Sequence, residues 1–245
     1  MRVPLPMYGG VDGGPRPGVR AQVHDALARG VDPAVVAERV GQGLVAVARA
    51  LAQTEIPGEL EPAWDKGCCH CCHQRVELTG PEVLLLCRWL RAYASEALLV
   101  RIAETARALA GLSAREHHLC QVRCALLADD GTCTAYEARP MACRRAHSTD
   151  AAACAEARRE PARETRIPEA PVLSWNLSSM VLGYYEGAAH AGLAPHMYEL
   201  HAALVLALAR PAEDTLLGAP EDPLASARTR SAEDLPDVLG RAKGG

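Results

Sequence analysis

The sequence contains no phenylalanine, and its other large aromatic residues are few. Only three Trp and six Tyr are found among 245 residues. Aromatic side chains favour β-strands, whereas Ala, Leu, Arg and Glu, which dominate this chain, favour helices. We therefore expect an all-α fold.

The sequence also lacks an excess of positive charge and any long apolar run. Its 26 basic side chains are outnumbered by 30 acidic ones, which argues against nucleic-acid binding, since phosphates attract clustered positive charge. The longest apolar stretches, such as residues 202–209, are less than half of the roughly 20 residues that span a bilayer. We expect neither nucleic acid nor a membrane as a partner.

The first residues lack the features of a targeting segment. Residues 1–18 contain four Pro and five Gly and no apolar run, unlike a secretory signal or a mitochondrial presequence. We therefore expect a cytoplasmic protein, in a compartment that keeps thiols reduced. The ten cysteines are accordingly interpreted as metal ligands or reactive thiols rather than as disulfides.

Composition divides the chain into a helical centre and two polar ends. Residues 1–18 and 219–245 are rich in Gly, Pro, Ala and charge, which predicts a disordered N-terminal tail and a flexible C-terminal tail. Residues 19–218 are expected to form a single helical domain. Its irregular part is the cysteine-rich region at residues 64–155, which we interpret as a metal-binding loop region.

Capping residues and apolar periodicity predict the helices of this domain. Predicted helices begin at Asp32-Pro33, Thr79, Ser95, Ser113, about residue 170, and Pro195. The Thr79 and Ser95 helices are expected to form a hairpin, and the Ser113 helix to reach Cys124. The last helix is expected to pack against the helix over residues 170–191. Asp130-Gly131 predicts a tight turn in an otherwise irregular stretch.

All ten cysteines lie between residues 68 and 154. The densest group is residues 68–73, Cys-Cys-His-Cys-Cys-His, in which every side chain can bind a soft or borderline metal. On one helical turn, Cys68, Cys71 and Cys72 would point to the same side. This spacing predicts three converging thiolates.

A second group of cysteines crosses the irregular stretch. Cys124, Cys133 and Cys143 are separated by eight and nine residues, and Cys154 lies ten residues beyond Cys143. Metal bonds could hold such a stretch in shape. Neighbouring cations are expected to offset the charge of several thiolates; they are Lys66, Arg75, Arg123, Arg139, Arg144 and Arg145.

The remaining cysteines and histidines are interpreted more simply. Cys87 and Cys120 are expected to be small buried hydrophobic residues. Cys69 and Cys154 are left open as additional metal ligands or redox thiols. The alternative ligands are His70, His73 and His147, whereas His117 and His118 are expected to form an exposed patch.

Two blocks of sequence carry a family resemblance. The first is Lys66-Gly67-Cys-Cys-His-Cys-Cys followed by Val-Glu-Leu-Thr at 76–79 and Glu82; the second runs from Cys124 through Asp-Gly-Thr-Cys at 130–133 to Arg144. In their order and combination they resemble the YkgJ-like cysteine-cluster family, described as a zinc- or iron-chelating domain with a CxxCxxCC signature. Cys69 stands where that family usually has a small residue.

The resemblance covers roughly residues 64–155 and implies a metal site more firmly than an activity. It implies Cys68, Cys71, Cys72, Cys124, Cys133 and Cys143 as ligands of an Fe–S cluster, in the [4Fe–4S] form, or of zinc. Members of the family are often labelled Fe–S oxidoreductases. A related branch, the flagellin lysine methylases, resembles an Fe–S protein that uses S-adenosylmethionine.

Two classes of function remain open from the sequence. The first is a metal-binding module, in which thiolates fix the irregular stretch against the helices. The second is an enzyme, either a redox protein or a methyltransferase-like protein that uses the cluster to order a pocket. The radical S-adenosylmethionine triad Cys-x3-Cys-x2-Cys and a dinucleotide-binding fingerprint are both missing, and Gly41-Gln42-Gly43 is interpreted as a chance match. One structural ion needs only four ligands, and the chain offers more cysteines than that. This surplus keeps the enzyme interpretation open.

Overall fold

The computed structural model describes residues 14–54, 61–63, 67–193, 196–210, 217 and 221–230. In these ranges the protein is mostly helical, which confirms the predicted fold class. The helices are α1 Arg16–Ala28, α2 Pro33–Ala52, α3 Gly80–Tyr93, α4 Glu96–Leu109, α5 Ala114–Cys120, α6 Met141–Arg145, α7 Ala151–Arg159, α8 Pro171–His190 and α9 Leu200–Leu208. A small antiparallel sheet, which was not predicted, has the order β1 (Glu77–Thr79), β2 (Met197–Glu199), β3 (Arg228–Arg230).

The predicted caps form at the helix starts. The Asp32 carboxylate accepts the Ala34 amide at 2.8 Å and Pro33 opens α2, while capping boxes start α3 and α5. The expectation that the Ser113 helix reaches Cys124 is wrong, because α5 ends at Cys120 and Gln121 adopts a left-handed conformation with φ 48°. A residue in that conformation ends a helix.

Two apolar clusters form the interior. The first joins α1, α2 and α8 around Leu44, Leu177 and Tyr184. The second joins α3, α4 and α9, and it also takes in buried residues of the 125–138 stretch. Contacts between α2 and α3 connect the two clusters. None of the helices in the described ranges is both long and apolar enough to cross a membrane.

The surroundings of α9 correct two expectations. The last helix packs against α3 and α4 rather than against α8, because Leu200, Ala203 and Leu204 lie in the second cluster. Helices α3 and α4, which were predicted to form a hairpin, both pack against α9. Residues 197–199, predicted as helical, form β2 and pair with β1; Pro195 lies outside the described residues.

Both predicted tails are shorter than expected where the structure describes them. Helix α1 begins at Arg16 and packs closely along α8, so residues 14–18 do not belong to a disordered tail. Leu224 and Ala227 are buried in the second cluster, so residues 221–230 are packed. The predictions for residues 1–13 and 231–245 fall outside the described residues.

Candidate metal centre

Backbone contacts join the two cysteine-bearing segments. The first segment forms a 3₁₀ turn over His70–His73, and the Cys72 carbonyl accepts the Cys124 amide at 2.8 Å. Gly67 touches the Asp130-Gly131 turn, where a Cβ on residue 131 would lie 2.5 Å from the Gly67 oxygen. The helical turn begins after Cys68, so the prediction of Cys68, Cys71 and Cys72 on one turn is right only for the last two.

The second segment folds back on itself as a tight loop. The Thr134 amide donates to the Leu126 carbonyl at 2.7 Å and the Ala128 amide to the Thr132 carbonyl at 2.8 Å. The Asp130 carboxylate accepts the Thr132 amide and hydroxyl, a pattern typical of Asp in turns. This loop confirms the predicted turn and returns the chain at Cys133 toward Cys124.

Helix α6 brings Cys143 to the same region, and a buried carboxylate holds it there. Glu82 is 4 % exposed and accepts the Met141 amide at 2.8 Å while also closing the α3 capping box with Thr79. Arg144 donates to the carbonyls of Arg139 and Glu137. One carboxylate thus fixes the start of the helix that carries Cys143.

Gly41 has a structural role that the sequence did not reveal. A Cβ at this position would lie 3.0 Å from the Arg144 Nε, so the Arg144 side chain lies directly across α2. The segment Gly41-Gln42-Gly43 lies inside α2, and its first glycine makes room for a side chain of the cysteine region. Composition alone could not distinguish this use of glycine from a dinucleotide-binding turn.

Each of the six predicted ligands interacts electrostatically with at least one other. Cys68 precedes the 3₁₀ turn, and we call the other five the five-thiol group: Cys71, Cys72, Cys124, Cys133 and Cys143. Burial of the sulfur raises the pKa of Cys143 well above its ordinary value, and negative charge on Cys124, Cys71 or Cys133 raises it further. Burial raises the pKa of Cys124 to about 11 and that of Cys133 to about 11. The hydrogen bond with Cys72 raises the pKa of Cys71. Without a metal, the thiols of Cys71, Cys124, Cys133 and Cys143 are therefore protonated near neutral pH.

Arg139 is the cation most closely associated with this group. Its charge lowers the pKa of Cys71, Cys133 and Cys143 against the larger opposing effects. The guanidinium carbon lies 3.9 Å from the centre of the Tyr136 ring, and the Arg139 Nε is buried without a hydrogen-bond partner. The expected compensation by arginine is thus found at Arg139.

Other predicted cations are placed differently. The Arg123 guanidinium donates to the Leu127 and Ala128 carbonyls and to Asp129, so it braces the loop. Arg145 donates to the Ser178 hydroxyl of α8 at 3.2 Å, and Arg75 lies 3.5 Å from Glu77. Lys66 lies outside the described residues.

Cys68, Cys69 and Cys154 lie at the edge of the group. Helix α7 packs against the 3₁₀ turn, and the pKa of Cys68, raised mainly by burial, is also raised by charge on Cys71, Cys154 and Cys69. Cys68 is exposed, whereas Cys69 and Cys154 are partly buried. Their placement leaves both the additional-ligand and the redox interpretations open.

The histidines proposed as alternative ligands are partly engaged with the backbone. His73 Nδ1 lies 3.2 Å from the Cys69 carbonyl oxygen, and His147 Nδ1 lies 2.9 Å from that of Arg145. The Nδ1 atom of His70 is buried without a hydrogen-bond partner. These backbone contacts thus engage the Nδ1 atoms of His73 and His147, but not that of His70.

Three of the simpler interpretations are tested by burial. Cys87 is fully buried in α3, as predicted, but Cys120 is exposed at the end of α5. The expected exposed histidine patch is wrong: His117 is 3 % exposed, and His118 lies 2.8 Å from the Gln74 side-chain oxygen. The short helix turns His117, rather than Cys120, toward the interior.

The side chains as placed do not form a closed coordination shell. Among the described residues, no three Cys, His, Asp or Glu side chains are arranged in a group that could hold a metal ion. The chemistry of the donors nevertheless suits zinc or iron, because thiols are the preferred ligands of both in cysteine-rich sites. The donors therefore suit such a group by their chemistry, whereas their placement among the described residues does not form its coordination shell.

A scan of the chain against protein-family models finds no match, and searches of curated proteins and of solved structures find none either. The resemblance to the cysteine-cluster family therefore rests on the two sequence blocks within residues 66–144. The fold brings the cysteines of these blocks together through the Cys124–Cys72 and Gly67–Gly131 contacts.

The Gly67–Gly131 contact can be tested by adding one methyl group. In Gly131→Ala, the new Cβ meets backbone atoms of Gly67 and the residue keeps a φ of +80°. We expect a loss of about 2–4 kcal/mol in the free energy of unfolding and faster modification of native thiols by a disulfide reagent. Gly30→Ala is the control, because its φ is +78° with no atom within 4 Å of the new Cβ. Equal losses for both variants would contradict a role for the contact.

Proposed function

We propose that this protein binds a metal, with the five-thiol group chelating an Fe–S cluster or Zn²⁺. The observation that carries the proposal is that three stretches of chain bring their cysteines together. The Cys72 carbonyl accepts the Cys124 amide at 2.8 Å, and Cys143 on α6 interacts with Cys71, Cys124 and Cys133. Cys68, the sixth predicted ligand, interacts with Cys71 from the edge of the group. Clustered soft donors of this kind are typical of zinc and Fe–S sites.

Electrostatics supports a metal rather than a purely structural role for these thiols. Four thiolates on Zn²⁺ leave a net charge of about −2, and Arg139 supplies a positive charge beside three of the five sulfurs. Without a metal, ionising one of these thiols makes it harder to ionise its neighbours, which raises the pKa of Cys124, Cys133 and Cys143. Metal binding would replace the protons with a cation, so that several thiolates could lie side by side.

The expected chemistry depends on which metal is bound. Bound Zn²⁺ would cross-link the 3₁₀ turn, the 126–134 loop and α6, whereas an Fe–S cluster would also carry single electrons. In either case the chain's own residues supply the same elements: thiols as ligands, Arg139 as the compensating charge, and Glu82 as the group that holds α6 in place.

Metal analysis of the protein and one ligand variant tests this proposal. Anaerobically purified protein is expected to contain near-stoichiometric metal. Zinc would leave the protein colourless, whereas an Fe–S cluster would give iron, acid-labile sulfide and broad absorption at about 400 nm. Cys143→Ser is expected to lose most of this metal, since serine is a poor ligand for soft cations. Cys120→Ser is the matched control, because Cys120 is exposed and lies on α5.

Two results would contradict the proposal. Wild-type protein without metal after anaerobic purification and reconstitution would remove the metal site altogether. Unchanged metal content in Cys143→Ser would remove Cys143 from the ligands and, with it, the observation on which the proposal rests.

A cluster-dependent enzyme is the second candidate, and the surplus of thiols favours it. Cys68, Cys69 and Cys154 interact beside the five-thiol group, although one structural ion needs only four ligands. Such thiols could serve a redox protein or a methyltransferase-like protein. Calorimetric titration with S-adenosylmethionine distinguishes the latter, because a metal-binding module alone has no site for that molecule.

A further inference from the structure

A buried carboxylate–histidine pair lies at the junction of β2 and α9. Glu199 is 8 % exposed and His201 is 4 % exposed, and the His201 Nδ1 lies 2.9 Å from the Glu199 Oε1. The second carboxylate oxygen of Glu199 accepts the Ala202 amide at 2.7 Å and so caps α9. No cysteine motif in the sequence points to either residue.

The second ring nitrogen of His201 reaches the five-thiol group through the backbone. His201 Nε2 accepts the Ala125 amide at 3.2 Å. A nitrogen that accepts a hydrogen bond carries no proton, so the single ring proton lies on Nδ1 and is donated to Glu199. The hydrogen bond with Glu199 thus fixes the His201 tautomer in which the Nε2 lone pair accepts the Ala125 amide.

That peptide group follows Cys124 directly. On the other side of Cys124, its own amide donates to the Cys72 carbonyl at 2.8 Å. The Cys124 carbonyl, which shares a peptide group with the Ala125 amide, accepts the Leu127 amide at 3.1 Å. Ala125 itself is buried, so its amide needs a partner inside the protein. Hydrogen bonds on both sides of Cys124 fix its backbone angles and therefore the direction of its Cα–Cβ bond.

We propose that Glu199 and His201 position Cys124 as a metal ligand, an inference that rests on the proposed metal-binding function. Residues that orient metal ligands usually contact the ligand side chain, and their loss weakens metal binding. Here His201 contacts the peptide group that follows Cys124 and orients the ligand through its backbone. Capping of α9 requires Glu199 alone. The His201 imidazole adds a different hydrogen bond: it accepts the Ala125 amide. We therefore attribute the presence of a histidine at this position to the Ala125 amide.

Binding of Co²⁺ alone to the reduced, metal-free full-length protein tests the proposal. Thiolate-to-cobalt charge-transfer and ligand-field bands report the number of thiolates, and competition with a chelator gives the affinity. His201→Leu is expected to weaken Co²⁺ binding by about 10- to 100-fold and to shift both sets of bands toward fewer thiolates. His201→Gln is expected to restore both, because its amide can accept from Ala125 and donate to Glu199.

The control is Asn176→Leu, another buried polar residue replaced by an apolar one. Asn176 is 3 % exposed, and its amide donates to the Val172 carbonyl of α8, so a general loss of stability is matched without a change beside Cys124. If His201→Leu does not fold, His201→Asn takes its place, because this shorter amide keeps the polarity and cannot span both partners. We expect His201→Asn, like His201→Leu, to weaken Co²⁺ binding and to shift the bands toward fewer thiolates.

The outcomes separate the two proposals. Wild-type protein that gives no thiolate–cobalt bands overturns the positioning role, and if it also holds no metal after anaerobic purification and reconstitution, the proposed metal-binding function falls with it. Wild-type binding with unchanged affinity and bands in His201→Leu or His201→Asn overturns the positioning role alone. Equal weakening in Asn176→Leu, or failure of His201→Gln to restore the bands, would likewise overturn it.

Discussion

Replacing Glu82 with alanine is expected to lower the free energy of unfolding by about 3–5 kcal/mol, because buried donors left without acceptors each cost about 1–3 kcal/mol. The Glu82 carboxylate accepts the Thr79 amide, the Thr79 hydroxyl and the Met141 amide, each at 2.8 Å. Burial raises the pKa of this carboxyl group while those hydrogen bonds oppose the rise. Urea-induced unfolding followed by circular dichroism measures the loss.

The same variant should also release the start of α6. Since the Met141 amide loses its acceptor, we expect Cys143 to react faster with an alkylating reagent in the native, metal-free protein. Glu116→Ala is the control: Glu116 occupies the same position in the capping box of α5 but is exposed, so its loss should be much smaller and Cys143 unaffected. A similar loss in both variants would show that Glu82 acts only as a helix cap.

A destabilising substitution is also expected at the interface between α1 and α8. A Cβ at Gly187 would lie 2.6 Å from the Arg20 carbonyl oxygen and 2.7 Å from the Val23 Cβ. We expect Gly187→Ala to destabilise the protein by about 1–3 kcal/mol through overpacking and to expose α1 to trypsin at Arg20, which is followed by Ala21. Thermal unfolding and limited proteolysis measure the two effects.

The control for this prediction is a glycine-to-alanine substitution in α1, Gly18→Ala, which is expected to raise rather than lower the stability of the protein. Gly18 lies in α1, and a Cβ there meets no atom within 4 Å. Gly18→Ala should therefore stabilise the protein by up to about 1 kcal/mol, since glycine weakens a helix. Destabilisation by Gly18→Ala, or no change in Gly187→Ala, would contradict a close helix contact built on glycine.

Local chemistry made part of this structure predictable. The Asp32-Pro33 helix start and the Asp130-Gly131 turn depend on neighbouring residues, so the sequence pattern was sufficient. The cysteines could be grouped because soft donors in two dense blocks have few other uses. Each of these predictions needed only residue type and short spacing.

Long-range features could not be predicted in this way. The strands β1 and β2 are three residues each, too short for an alternating pattern, and their pairing joins residues more than a hundred positions apart. His201 meets Ala125 only because α9 packs against α3 and α4, a contact that the periodicity assigned to α8. The docking of α1 likewise depends on Gly187, whose close contact is visible only when both helices are placed.

The hydrogen bond from the Cys124 amide to the Cys72 carbonyl has a thermodynamic consequence for any incoming cation. Bringing together residues about fifty positions apart costs conformational entropy that grows with the logarithm of the loop length. Here the polypeptide meets that requirement during its own folding. For the proposed metal site, a cation would then have mainly thiol rotamers and protons to rearrange, in contrast to the small zinc domains that remain unfolded until their ion arrives.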